Sequence, residues 1–386
     1  MERRSSGPGT PGVAIQGEVK PGFERVRQAF AANFSDESSI RDLGAALSVH
    51  VGGQPVSRLF GGFQDVERTR PWAASTLVNI WSASKAVLAV AIAQLVDAGR
   101  LDYERPVADV WPEFGAAGKT SITLNQVLGH QAGLNGFAEP TSPEDLYDWA
   151  AITARLARQR PFRPPGTMTS YHGMTFGWLC GEVVRRASGM ELRDYIRERI
   201  AGPLGADLWL GCPVERRQDA AFIVAPDPDI NPVVLSEIAA RTVVNPVPDA
   251  TLANTDAWRV AQIPAVNVHA TAEGLGRLYA ALANRGALDG TRILSPGAVD
   301  AMRTMRSPGP DEMLGPRRWA AGVALNGDGQ FGPDAEAFGH AGWGGSLGCA
   351  SVRSGVAIAY VMNRMGSRLN GDRRARRICD AVFDCV

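Results

Sequence analysis

Apolar residues recur with a helical period between residues 79 and 102, in the stretch NIWSASKAVLAVAIAQLVDAGRLD. The spacing i, i+1, i+4, i+5, i+8 is typical of a helix that is buried along one broad face. The positions that carry it are Val87, Leu88, Ala91, Ile92 and Leu95. We expect this helix to begin near Ser82 and to end at Gly99.

Strand-like patterns lie towards both ends of the chain, whereas the middle is mostly helical. The stretch GAALSVHVGGQPVSRLFGG, which begins at residue 44, is typical of a β-hairpin closed by a Gly-Gly turn. Near the other end, RRWAAGVALN, AEAFGHAGWGGSLGCASV and GVAIAYVMNR are predicted to be consecutive strands. A strong amphipathic helix, TAEGLGRLYAALANRG, precedes these strands, and a last helix follows them.

This order predicts one sheet built from both ends of the chain, with a helical domain inserted between them. We therefore expect an α/β (α+β) fold with a sheet domain over 23–75 and 260–386 and a mostly helical domain over 76–259. Residues 1–22 are expected to be a flexible tail, and the Pro-rich segment 203–262 to be a long loop over a cleft. The first helix of the inserted domain would lie where the domains meet, which is a favoured place for an active site.

The composition of the chain indicates which classes of partner and which cellular compartment to expect. The 386 residues carry 40 basic and 40 acidic side chains, so no overall field attracts nucleic acid or an anionic membrane. The N-terminal residues contain no apolar stretch long enough for a secretory signal, and no later apolar run approaches a membrane-spanning length, which favours a cytoplasmic protein. The five scattered cysteines show no metal-binding spacing and are expected to be reduced thiols. The basic run RRARR at 373–377 is interpreted as the solvated face of the last helix.

A serine and a lysine stand three residues apart at the start of the first predicted helix. Helical residues with this spacing share one face, so Ser82 and Lys85 can share a small site. A helix cap followed by a solvated cation would be the simpler explanation. However, only three of the 40 basic residues are lysine. Because arginine stays protonated whereas a desolvated lysine can act as a base, a lysine beside a serine in this chain indicates proton chemistry.

A second serine competes for the role of nucleophile. The sequence GGSLG at 344–348 matches the G-x-S-x-G pattern of α/β-hydrolases and would make Ser346 the nucleophile. That pattern requires a sharp turn from a strand into a helix. The residues that follow, CASVRSGVAIAYVMN, are predicted to continue as turn and strand, so Ser346 is the weaker candidate.

Two further motifs follow the serine and lysine along the chain. Tyr171 comes after a Pro-Gly turn and just before a predicted helix. His340 and Gly342 form a His-x-Gly motif on a predicted strand. The order along the chain is therefore S-x-x-K, then a tyrosine, then His-x-Gly.

This ordered set of motifs resembles the serine β-lactamase and penicillin-binding superfamily, and most of all its branch of class C β-lactamases and family VIII carboxylesterases. The segment LGHQAGL at 128–134 is similar to the loop that follows the family's second helical segment. The resemblance covers residues 40–385. It implies a β-lactamase/transpeptidase-like fold, in which helices flank an antiparallel sheet.

The resemblance also implies roles for individual residues. Ser82 would be the nucleophile, Lys85 would help to deprotonate it, and Tyr171 would be the partner base and proton relay. When Lys85 and Tyr171 are desolvated together, the pKa values of both are expected to fall, with an ammonium at Lys85 stabilising a phenolate at Tyr171. The backbone N–H groups of Ser82 and Trp343 match the family's oxyanion hole, whose donors are each worth about 3 kcal/mol. Neither a metal nor a cofactor is implied.

Departures from the lactamase motifs favour esters as substrates. Where β-lactamases have Tyr-x-Asn, this chain has Gly173 in place of the asparagine, and where they have Lys-Thr-Gly it has His340 in place of the lysine. The amide that holds a β-lactam side chain and the cation that meets its carboxylate are therefore replaced. His340 and Gly342 remain expected members of the substrate-binding site.

The leading hypothesis is a serine carboxylesterase that acts on short-chain or small-molecule esters through an acyl-enzyme. The alternatives are an acyltransferase, a β-lactamase or D-aminopeptidase, and a penicillin-binding domain that is acylated without turnover. Trp81 is expected to belong to the core. The remaining histidines are expected to be structural; they are His50, His130, His172 and His269.

Overall fold

The structure of the protein, a computed structural model, describes residues 13–36, 40–227, 235–369 and 371–386. None of the helices in these ranges has both the length and the apolar content that crossing a membrane requires. The strands are β1 (Ile15–Val19), β2 (Gly44–Val51), β3 (Gln54–Gly62), β4 (Val78–Asn79), β5 (Leu208–Leu210), β6 (Val268–Ala270), β7 (Ala287–Leu288), β8 (Thr291–Arg292), β9 (Arg318–Trp319), β10 (Ala324–Leu325), β11 (Phe338–Ala341), β12 (Leu347–Ser351) and β13 (Val356–Met362). The helices are α1 (Glu24–Ala32), α2 (Lys85–Asp97), α3 (Leu124–Leu128), α4 (Trp149–Arg158), α5 (Thr175–Ser188), α6 (Leu192–Ile196), α7 (Glu237–Val244), α8 (Asp256–Val260), α9 (Ala272–Ala283), α10 (Pro296–Met302) and α11 (Arg373–Phe383).

Within the described ranges, eight strands form one antiparallel sheet in the order β1-β3-β2-β13-β12-β11-β10-β9. The pairing of β2 with β13 joins the N-terminal hairpin to the C-terminal strands. Helix α9 packs on β2, β12 and β13, while α1 packs on β1, β3 and α11. Strand β13 is buried along its whole length. The predicted fold class, an antiparallel sheet assembled from both ends of the chain and flanked by helices, is confirmed.

Helix α2 packs against α5 and α10 and is buried on nearly all sides. Ten of its thirteen residues are buried, which explains why its sequence is an almost continuous run of Ala, Val, Leu and Ile. The sequence predicts a start near Ser82. In the structure a 3₁₀ turn over Trp81–Ser84 comes first, and the α-helix begins at Lys85.

A three-stranded sheet, β4-β6-β5, fixes the chain just before this turn. Val78 pairs with Ala270 and Asn79 pairs with His269, so the pairing of β4 with β6 fixes the position of the backbone where the turn begins. The segment 203–262, which the sequence predicts to be a long loop, contains β5 and the short helices α7 and α8. Backbone hydrogen bonding therefore organises part of the expected loop.

Two predictions about the chain ends are wrong in part. Part of the expected flexible tail over 1–22 forms β1, which pairs with β3; residues 1–12 lie outside the described ranges. Arg374, in the run interpreted as a solvated face, is fully buried. Its charge is compensated by ion pairs to Asp42 and Asp372, both at 2.8 Å. A buried arginine is tolerated when such partners satisfy it.

Candidate active site

The 3₁₀ turn before α2 places Ser82 and Lys85 side by side. Lys85 Nζ lies 3.1 Å from Ser82 Oγ. The same nitrogen donates to the backbone carbonyls of Gly173 at 2.7 Å and Ala265 at 3.3 Å, so three segments of the chain fix its position. Lys85 is fully buried whereas Ser82 is partly exposed. A substrate can therefore reach the hydroxyl while the amine stays out of water.

Burial controls the protonation of the lysine and the tyrosine. It lowers the pKa of Lys85 well below the ordinary value of 10.5, because the charged form loses its hydration. Burial raises the pKa of the Tyr171 phenol, and the hydrogen bond with Ser82 acts in the opposite direction. The expectation that both pKa values fall is therefore correct for Lys85 and wrong for Tyr171. The site favours a neutral amine and a neutral phenol over an ammonium and a phenolate.

Tyr171 is held by an aromatic partner and a carboxylate. Its ring stacks on Trp319 with centroids 5.5 Å apart, and Lys85 Nζ lies 4.8 Å from the phenol centroid. Asp311 accepts from the Tyr171 N–H at 3.3 Å and from Trp319 Nε1 at 3.0 Å. One carboxylate thus positions both the tyrosine and the ring beneath it. The sequence carried no local signal for Asp311 or Trp319.

Two histidines brace the segment that carries the tyrosine. The His172 N–H donates to His130 Nδ1 at 3.1 Å, and the Leu134 N–H donates to His172 Nε2 at 3.1 Å. The His130 ring lies 5.0 Å from the Tyr171 ring. Burial lowers the pKa of both histidines, that of His172 to about 4, so both rings are neutral. Their contacts agree with the structural role expected for them.

The turn after β11 lies against the residue that precedes the nucleophile turn. A Cβ on Gly342 would lie 2.3 Å from the Ile80 carbonyl oxygen, so this close approach requires glycine. Trp343 follows, and its ring lies 5.2 Å from that of Trp81. The Trp343 N–H makes no backbone hydrogen bond to any residue that the structure describes. Ser82 and Trp343 line the same cleft, so an N–H with no backbone partner among the described residues suits the oxyanion role that the sequence predicts for Trp343.

His340 also lies at this centre. Its ring centroid is 6.2 Å from that of Tyr171, and its Nδ1 lies 2.7 Å from the Ala341 carbonyl oxygen. Its Nε2 is buried and has no partner among the described residues. Burial is the main cause that lowers the pKa of His340 well below 6.5. The imidazole is therefore neutral where β-lactamases carry a permanent cation.

A mainly apolar cleft of about 660 Å³ opens over Ser82. One wall is an aromatic cluster, in which Trp81 lies 5.7 Å from Trp258 and 5.2 Å from Trp343 between ring centroids. Trp81 is buried, as expected of a core residue, but it also faces the cleft. Asp249 is the only charged side chain among the described residues that line this cleft. The arrangement fits an uncharged, apolar acyl group.

Ser346 has a different environment from Ser82. It is 1% exposed, and its hydroxyl donates to the Ile80 carbonyl at 2.8 Å. It lies between β11 and β12, so the strand-to-helix turn that G-x-S-x-G requires is not formed there. Its hydrogen bond instead ties the β11–β12 turn to the segment before Ser82.

In the part of the chain that the structure describes, His, Cys, Asp and Glu side chains form no group that could hold a metal ion. The five cysteines, all of which lie in this part, are free thiols.

Comparison with known proteins gives consistent matches over nearly the whole chain. A family model described as Beta-lactamase matches residues 30–383. The Esterase/beta-lactamase LipL of Mycobacterium tuberculosis is 37% identical over 373 residues, which cover 93% of this chain and 85% of LipL.

Two solved structures are similar in both sequence and fold. A crystal structure of a family VIII carboxylesterase is 40% identical and superposes with a TM-score of 0.91, covering 97% of this chain and 100% of the other. A penicillin-binding protein homologue from Caulobacter crescentus has the same identity, TM-score and coverage.

Proposed function

This chain belongs to the beta-lactamase family, and on that premise we propose that it is a serine carboxylesterase that hydrolyses small apolar esters through an acyl-enzyme on Ser82. Its family is one of esterase/β-lactamase-like serine hydrolases. The observation that carries the proposal is the 3.1 Å approach of the buried Lys85 amine to the Ser82 hydroxyl at the base of an apolar cleft. The similarity to a family VIII carboxylesterase supports it.

In the acylation step, the neutral Lys85 amine accepts the hydroxyl proton as Ser82 Oγ attacks the ester carbonyl carbon. The N–H groups of Ser82 and Trp343 stabilise the negative charge on the carbonyl oxygen. The tetrahedral intermediate then collapses, and the bond between the carbonyl carbon and the alkoxy oxygen breaks. The Tyr171 phenol gives a proton to the departing alkoxide and takes one back from Lys85, so an alcohol leaves and the acyl group stays on Ser82.

In the deacylation step, a water molecule attacks the acyl carbon. Lys85 and Tyr171 accept a proton from this water and return it to Ser82 Oγ as the carboxylic acid departs. Each cycle consumes one ester and one water and releases one alcohol and one carboxylic acid.

The structure gives physical reasons to prefer esters to β-lactams. A Cβ on Gly173 would lie 2.7 Å from Thr242 Cγ2, so α7 occupies the space in which an asparagine side chain would stand. His340 is neutral because it is buried. Arg317, whose charge acts on both Tyr171 and His340, is 3% exposed and is paired with Asp328 at 2.9 Å. A β-lactam carboxylate would therefore meet no free cation among these groups.

We expect kcat/KM for p-nitrophenyl butyrate to exceed that for a chromogenic cephalosporin by about 10²- to 10⁴-fold after each is divided by its uncatalysed rate. The reason is the loss of one hydrogen-bonding and one charged contact that a β-lactam needs. Both substrates are measured on one preparation by initial rates. A normalised kcat/KM for the cephalosporin equal to or above that for the ester would contradict the preference for esters.

A further inference from the structure

Arg374, the second residue of α11, has every branch of its guanidinium committed. It is ion-paired with Asp42 and Asp372, each at 2.8 Å. It also donates to the backbone carbonyl oxygens of Arg364 at 2.8 Å and Gly344 at 2.7 Å. The side chain and its Asp42 partner are both fully buried. Such a network holds its acceptors in one geometry because each lost contact would leave a buried charge or dipole unsatisfied.

One of these acceptors belongs to the turn over residues 342–345, here called the oxyanion turn because it contains Trp343. The Gly344 carbonyl accepts from Arg374 and also from the Gly366 N–H at 2.8 Å. The Gly345 N–H donates to the Gly342 carbonyl at 3.2 Å. That carbonyl and the Trp343 N–H belong to the same planar peptide unit, so this contact orients the N–H.

The oxyanion turn lies directly on the ion pair. A Cβ on Gly345 would lie 2.8 Å from Arg374 Nη2 and 2.9 Å from Asp372 Oδ2. Gly344 and Gly345 have φ values of +87° and +132°, a backbone region that favours glycine. These two residues have no side chains to fix the turn, so the guanidinium behind them supplies a fixed contact.

We propose that Arg374 is a positioning residue that holds the oxyanion turn in the geometry in which the Trp343 N–H stabilises the transition state. This inference rests on the proposed function. An oxyanion donor contributes only when it is preorganised, and loss of one donor costs about 10²- to 10³-fold in kcat. Lysine cannot replace the planar fork that reaches four acceptors at once.

The test compares Arg374→Lys with Asp42→Asn. Both variants weaken the same buried ion pair and should lower the Tm. Only Arg374→Lys also removes the donor to Gly344, while Asp42→Asn keeps it. For p-nitrophenyl butyrate we expect kcat of Arg374→Lys to fall about 10- to 100-fold with little change in KM, because the lost contact acts in the transition state. For Asp42→Asn we expect kcat within about threefold of wild type.

Inhibition by phenylboronic acid, whose tetrahedral adduct carries a negative charge, gives a second measurement. Its Ki should rise in Arg374→Lys by about the factor by which kcat falls, and should stay near the wild-type value in Asp42→Asn. If Arg374→Lys does not fold, Asp372→Asn takes its place. That variant keeps a good helix cap but loses the charge that holds the guanidinium against Gly344, so a several-fold loss of kcat is expected.

Two results would overturn the role of Arg374. One is a wild-type kcat in the folded Arg374→Lys variant, or in Asp372→Asn where that variant takes its place. The other is a fall of kcat in Asp42→Asn as large as that in Arg374→Lys. Ser82→Ala, measured alongside, separates this failure from that of the proposed function. If esterase activity survives in Ser82→Ala, the proposed function itself is wrong. If Arg374→Lys keeps the wild-type kcat while Ser82→Ala is inactive, only the positioning role of Arg374 is wrong.

Discussion

Replacement of Ser82 by alanine is expected to lower kcat for p-nitrophenyl butyrate to background, a loss on the order of 10⁴- to 10⁶-fold. The variant lacks the oxygen that lies 3.1 Å from the Lys85 amine, so no covalent intermediate can form at this site. The fold should be retained, because Ser82 is partly exposed and alanine suits a helical turn. Initial rates and a thermal melt on the same samples measure both effects.

Ser346→Ala is the matched control. It removes a serine hydroxyl that is buried and that donates to the Ile80 carbonyl at 2.8 Å. The expected cost is about 1 kcal/mol of folding stability, with most of the activity kept. Background activity in Ser346→Ala together with an active Ser82→Ala would assign the nucleophile to the β11–β12 turn instead.

Lys85→Arg is expected to lower kcat by about 10²- to 10⁴-fold although both side chains can carry a positive charge. Burial lowers the pKa of Lys85, so the wild-type amine is available as a base, whereas a guanidinium stays protonated. The sign of the pH dependence follows from this. Protonation of Lys85 at low pH removes the base, so wild-type kcat/KM should fall as the pH is lowered through a pKa that lies below 10.5.

Lys119→Arg controls for the general effect of placing a guanidinium at a buried lysine. Lys119 is also fully buried, and it donates to the carbonyls of Ala116 at 2.8 Å and Ala157 at 2.9 Å. Its contacts are backbone carbonyls and include no hydroxyl, so we expect lower stability and a nearly unchanged kcat per folded molecule. A Lys85→Arg enzyme within a few-fold of wild type would show that the charge alone is needed at this position.

The parts of the fold and site that could be predicted are those that leave a local pattern. The helical period of 79–102 located α2, because burial of a helix constrains the order of apolar residues. Short motifs identified Ser82, Lys85 and Tyr171, and the structure brings these three side chains together. Their spacing along the chain is set by the elements that carry them, so the sequence contains the signal.

The remaining features depend on contacts between distant segments. Arg374 is buried where it pairs with Asp42, which lies 332 positions earlier in the chain. Because the run RRARR does not record this distant contact, the run alone predicts a solvated face. The pKa of Tyr171 rises because of burial, which its neighbours in sequence do not reveal. Trp81 is apolar in either setting, and only the folded chain shows that it faces a cleft. Each error therefore comes from packing that no local pattern records.

The most direct test of the covalent mechanism is to locate the acyl group itself. The protein is mixed briefly with p-nitrophenyl butyrate or a fluorophosphonate, and the reaction is quenched in acid. The mass of the intact protein is then measured, and the added group is located by peptide mass spectrometry. The Ser82 mechanism predicts one added group per chain, on the peptide that contains Ser82, and no adduct in Ser82→Ala. An adduct on Ser346, or on any peptide that lacks Ser82, would contradict it.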